Sequence, residues 1–101
     1  MFVLKRKPTT LGDILSEEFL KPLDLSQKQV GRHLGCDIKV VNRIVNGRTS
    51  ITTEMALKLG AAFGTSPDFW LNAQTAMDVY RASRKLRSLP KRFRTSARAA
   101  A

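Results

Sequence analysis

The chain carries one cysteine, Cys36, and one histidine, His33, in 101 residues. A single cysteine excludes an internal disulfide and fits a reducing cytoplasm. One histidine and one cysteine cannot supply the four ligands of a structural zinc site. There is no glycine-rich phosphate loop, and Ser, His and Asp occur in no spacing that suggests a nucleophile with its base. No enzyme activity, metal or cofactor is therefore expected. Apolar runs are short, and none approaches the roughly 20 residues of a membrane span. The opening Met-Phe-Val-Leu-Lys-Arg-Lys-Pro is too short for a signal peptide, and its charges follow the apolar residues instead of preceding them. A cytoplasmic protein is the expectation.

Acids are also scarce. Eight stand against 18 Lys and Arg, for a net charge of +10. The imbalance is local. Met1 to Tyr80 holds 10 basic and 8 acidic residues, a net of +2, whereas Arg81 to Ala101 holds 8 basic residues and no acid. Such a field favours polyanions, nucleic acid first and anionic membrane second. The basic end is either a solvated, frayed tail or a contact to nucleic acid or a partner.

What is present is helical punctuation. Hydrophobic residues make up 43%, ordinary for a folded domain, and no stretch alternates at strand period. An extended arm ends at Pro8. Thr9 or Thr10 caps a first helix with Leu11, Ile14, Leu15 and Phe19 on one face, stopped by Pro22. Ser26 and Gln29 form a capping-box pair for a second helix, which Gly35 ends. Asp37 caps a third, running to about Val45 before Asn46-Gly47. Thr52 caps a fourth, with Met55, Ala56, Leu59 and Phe63 at helical spacing. Thr65 or Ser66, with Pro67 in the first turn, opens a fifth that runs to about Ser88. The expected architecture is all-α, with a five-helix domain over residues 1–88 and a basic tail over 89–101.

The third helix has two faces. Val41, Ile44 and Val45 make an inward stripe. Lys39, Asn42, Arg43 and Asn46 make another that holds only cations and amides. Amides and guanidinium groups are the side chains that bond base edges bidentately. The connection at Gly35 is short enough for helix-turn-helix geometry, in which the second helix of the pair enters the major groove. Gly31 lets the two helices approach. Gln27, in the first turn of the second helix, is placed to hold a phosphate, with Lys28, Arg32 and Arg48 adding charge alongside. The alternative is two core helices with a solvated basic face.

"LSQKQVGRHLG…VVNRIVNG" resembles the helix-turn-helix of the Xre/phage-repressor superfamily. With "GDILSEEFLKPLDLSQ" before it and "ITTEMALKLGAAFGTSPDFWLNAQ" after it, the chain is similar to the HigA-type antitoxins of bacterial toxin–antitoxin modules over about residues 8 to 81. "NGRTSIT" and "FGTSPDFWLN" are specific to that branch. The resemblance implies that Gln27 contacts phosphate, that Ile38, Lys39, Asn42 and Arg43 lie on the recognition helix, and that Asn46 is the loop asparagine that meets the backbone. It also implies a dimer that binds its own promoter and a RelE-like ribonuclease toxin as partner. Many members of the branch begin "HPGE" where this chain has Thr10-Leu11-Gly12-Asp13, and the tail from Arg84 onward lies outside the shared pattern.

The fifth helix has more apolar surface than one face uses. Trp70, Met77 and Tyr80 are assigned to a dimer interface, since a palindromic operator needs a two-fold dimer. The alternative is that Trp70 and Tyr80 close a small core. The expected function is a sequence-specific DNA-binding antitoxin that neutralises its toxin and represses its own operon. The alternatives are a free-standing repressor and a toxin-binding module with weak DNA binding.

Overall fold

The computed structural model describes residues 7–94. The arm before Lys7 and the tail from Thr95 lie outside the described residues. Within them the chain forms helices and turns, without a strand.

Thr10 caps α1 (Leu11–Ile14) by accepting a hydrogen bond from the Asp13 N–H at 3.1 Å. The backbone does not stop there. It widens into a π-helical stretch over Leu15–Leu20, closed by a bond from the Lys21 N–H to the Ser16 carbonyl at 3.0 Å. The sequence pattern holds the trace of this. Leu11 to Leu15 is a four-residue step, but Leu15 to Leu20 is five, and all three leucines are buried. A wider turn keeps them on one side. Phe19 is consequently half-buried and packs on the edge of the core rather than at its centre.

Ser26 and Gln29 make the full reciprocal capping box of α2 (Gln27–Leu34). The Ser26 hydroxyl accepts from the Gln29 N–H at 3.0 Å, and the Gln29 amide oxygen accepts from the Ser26 N–H at 2.8 Å. Gly35 stands in the left-handed region at φ 74°, which glycine enters without a Cβ penalty. That turn lets the Cys36 N–H reach back to the Gly31 carbonyl at 2.8 Å and satisfies the helix end. Three residues later α3 (Ile38–Val45) begins, with the Asp37 carboxylate accepting from the Lys39 N–H at 2.8 Å. A Cβ on Gly31 would sit 3.0 Å from the Cys36 carbonyl oxygen, so the missing side chain is what allows this close turn.

Thr52 caps α4 (Thr53–Phe63), and Ser66 with Pro67 opens α5 (Pro67–Lys85). The fifth helix ends at Lys85, short of the expected Ser88. Leu86 is already extended, at φ −77° and ψ 132°, and Leu86, Leu89 and Phe93 are exposed, so no apolar burial holds further turns there.

Leu11, Leu15, Leu20, Val30, Leu34, Val41, Ile44, Ala56 and Leu59 form one core closed by Trp70. Trp70 is fully buried, ringed by Phe19, Phe63 and Phe69 at centroid distances of 5.3, 6.1 and 5.1 Å. Its indole N–H donates to the Thr65 hydroxyl at 2.7 Å. This corrects the dimer assignment. Trp70 and Met77, 0% and 5% exposed, turn into their own monomer and offer almost no surface to a second copy, while Tyr80 is half-buried. The arc of α5 that stays exposed and apolar carries Phe69 and Val79.

Candidate nucleic-acid interface

The position of α3 follows from its two buried side chains. Val41 and Ile44 are 1% and 4% exposed. Burying each is worth about 1.5–3 kcal/mol, enough to fix the rotation of a two-turn helix. The opposite face is then obliged to look outward. Lys39, Asn42 and Arg43 are exposed there, together with Ile38, which is 46% exposed at the start of the helix.

These side chains line a shallow groove with Gln27 of α2 and Arg48 of the following turn. None of the chain's eight acids lines it. Three cations, two amides and one aliphatic side chain therefore present donors, a bidentate amide and a methyl-bearing surface. Among the described residues, neither Lys39, Arg43 nor Arg48 has a carboxylate within ion-pair distance, since the two ion pairs found are Lys21–Glu17 and Lys58–Glu54. The groove's charge is uncompensated by the protein itself.

One contact inside the groove joins the two helices directly. The Asn42 side-chain amide donates to the Gln27 amide oxygen at 3.1 Å. This holds the Asn42 carboxamide in one orientation and leaves its oxygen free to accept, while Gln27 keeps its own NH₂ as a donor. Asn46 is exposed but lies outside the groove. Its side-chain amide donates to the Asn42 backbone carbonyl at 2.9 Å and helps close the end of α3. Lys28 and Arg32 are exposed on α2, also outside the groove.

Two parts of the surroundings were not legible along the chain. The first is Gly12. A Cβ there would lie 2.3 Å from the Val45 carbonyl oxygen and 2.5 Å from that of Ile44, so α1 abuts the end of α3 backbone to backbone. The second is Gln74 of α5. Its amide oxygen accepts from the Ile51 N–H at 3.4 Å, and its NH₂ donates to the Ser50 hydroxyl at 3.4 Å. Those bonds tie the turn after α3 to a helix more than 20 residues away. Only the fold makes such partners neighbours.

Among the described residues no group of His, Cys, Asp and Glu is placed to hold a metal ion, and no helix is long and apolar enough to cross a membrane.

A helix-turn-helix family model matches residues 17–70, from the π-helical stretch to Trp70. An uncharacterised HTH-type transcriptional regulator of Haemophilus influenzae is 45% identical over 78 residues, covering 77% of this chain and 73% of that protein. Antitoxin HigA-1 of Vibrio cholerae is 38% identical over 76 residues, covering 75% of this chain and 71% of its own. The structure of Pseudomonas aeruginosa antitoxin HigA with the higBA promoter is similar at a TM-score of 0.72 and 37% identity, over 74% of this chain and 82% of that one. With a family match across more than half its length and a HigA relative aligned over three quarters of it, the chain belongs to the Xre-type helix-turn-helix family, in the branch of the HigA antitoxins.

Proposed function

We propose that this protein is a DNA-binding antitoxin that represses its own operon and neutralises a RelE-like ribonuclease toxin. The observation that carries the DNA reading is the groove on α3, where cations and amides gather opposite a buried stripe with no acid among them. Ile38, Lys39, Asn42 and Arg43 read base edges. Arg43 suits guanine, Asn42 suits adenine, and the Ile38 side chain suits a thymine methyl. Gln27, Lys28, Arg32, Asn46 and Arg48 hold backbone phosphates and set the register. The Pseudomonas HigA solved on a promoter supports the reading by likeness.

The operator is a palindrome read by a homodimer, with recognition helices about 34 Å apart. The exposed apolar residues of the last two helices, Leu57 of α4 with Phe69 and Val79 of α5, supply the interface in place of Trp70 and Met77, with half-buried Tyr80 beside them. A free-standing repressor without a toxin is the second reading, favoured by relatives named only as transcriptional regulators.

The test is binding of the purified protein to its upstream promoter fragment and to a scrambled fragment across a salt series. We expect promoter binding at least about 10³-fold tighter than scrambled. We also expect log K to fall with log salt at about 0.9 per neutralised phosphate. Equal, or salt-independent, binding to both fragments refutes the reading. Co-purification with the neighbouring small ribonuclease, and suppression of its RNA cleavage, separates antitoxin from free-standing repressor.

A further inference from the structure

Arg48 lines a second cleft as well as the reading groove. This cleft, of about 200 Å³, forms where the N-terminus of α1, the turn after α3 and the outer half of α5 meet. Its polar lining includes Thr10, Arg48, Thr49, Ser50, Gln74 and Arg81. No acid of the chain lines it. Asp78, one turn before Arg81 on α5, accepts from the Gln74 amide at 3.1 Å and stays outside the lining. Among the described residues, neither arginine has a carboxylate within ion-pair distance.

The donors outnumber the acceptors. Thr10 and Ser50 each accept a hydrogen bond through the hydroxyl oxygen, from the Asp13 N–H and the Gln74 amide, which leaves each O–H proton free to donate. Thr49 spends its proton on the Ser50 carbonyl at 3.3 Å. Two guanidinium forks and two hydroxyls on three separate elements match an anionic phosphate group, whose non-bridging oxygens each accept several hydrogen bonds. The residues from Arg81 to Arg94 are free of acids, so the positive field continues from the cleft along the end of α5.

We propose that Arg81 and Arg48 clamp a backbone phosphate of the bound duplex, extending the DNA footprint from the helix-turn-helix onto α5. The inference rests on the DNA reading above. Arg48 is the reason for naming a phosphodiester, because one residue borders both the groove that faces the bases and this cleft. Arg81 would then be a DNA contact contributed by a helix that also helps build the core.

Arg81 is exposed, so Arg81→Gln removes the charge without touching the core. Wild type, Arg81→Gln and Arg81→Lys are titrated with promoter and scrambled duplexes over a salt series, with sedimentation of each free protein. The expected result for Arg81→Gln is a loss of about tenfold at low salt, equal on both duplexes, with the salt slope reduced by about one. Arg81→Lys should keep the slope and lose part of the affinity, since a point charge replaces the fork. A wild-type protein that binds specifically, beside an Arg81→Gln variant with unchanged slope, overturns this inference and leaves the DNA reading intact. Wild-type protein without salt-dependent specific binding removes both. Loss confined to the promoter duplex, or accompanied by monomerisation, also overturns it, because Arg81 would then act on base readout or assembly. Inorganic phosphate titrated into the free protein provides a further arm. Shifts at the Arg48 and Arg81 side chains, with an unchanged DNA slope, would make the cleft a site for free anion only.

Discussion

Gly12→Ala is the most exacting test of how the recognition helix is held. Gly12 is buried, and an added Cβ would meet the Val45 carbonyl oxygen at 2.3 Å, the Ile44 oxygen at 2.5 Å and the Val45 carbonyl carbon at 2.8 Å. Carbon and oxygen normally approach to about 3.3–3.6 Å, so α1 must retreat by roughly 1 Å. The obstacle is backbone at the end of a helix, where the Ile44 oxygen already accepts from the Gly47 N–H at 3.1 Å. Nothing flexible is available to swing aside. Overpacking of this kind costs about 1–3 kcal/mol. Alanine returns about 0.5–1 kcal/mol through helix propensity. With a rigid obstacle the cost falls at its upper end, for a net loss of about 2 kcal/mol. In a domain of this size that lowers Tm by about 8–16 °C. Thermal unfolding followed by circular dichroism at 222 nm measures it. A Gly12→Ala protein with a Tm at or above wild type would refute the backbone contact between α1 and α3.

Three further outcomes are expected. In a double-mutant cycle on promoter affinity, Gln27→Ala and Asn42→Ala should show a coupling of about 0.5–1.5 kcal/mol, reflecting their 3.1 Å bond; strict additivity would mean that the bond does not orient Asn42. Ser26→Ala removes one arm of the capping box and should cost about 1 kcal/mol, read as a shift in the urea midpoint with unchanged m-value. Trp70, the chain's single tryptophan, should fluoresce as a buried indole, and diluting the protein through dissociation of the proposed dimer should leave its emission in place. A red shift on dissociation would return Trp70 to the interface.

Most of the local structure was legible because caps and glycines are local signals. Thr10, Ser26, Asp37, Thr52 and Ser66 each accept a hydrogen bond from a backbone N–H two or three residues on, so a short window of sequence suffices to find them. The groove was largely legible for the same reason. Lys39, Asn42 and Arg43 share a helix face, and Val41 and Ile44 declare which face is buried. Where the periodicity itself changes, the pattern misleads. An α-helical wheel puts Phe19 beside Leu15, whereas the π-helical stretch brings Leu20 there instead.

The fifth helix shows the limit most clearly. Along the chain, Trp70 and Met77 are apolar residues on a helix with more apolar surface than one face uses, and the pattern cannot say which part meets the core. That depends on where the Phe19 and Phe63 rings stand and on the Thr65 hydroxyl that takes the indole proton. The Gln27–Asn42 bond, the abutment of Gly12 on α3 and the sharing of one cleft by Arg81 and Arg48 are of the same kind. The capped helix starts and the polar face of α3 were determined by neighbours within one or two turns. Which apolar face is covered, and which distant cations share a cleft, was decided by tertiary packing, because burial is a property of the assembled core and not of any single segment.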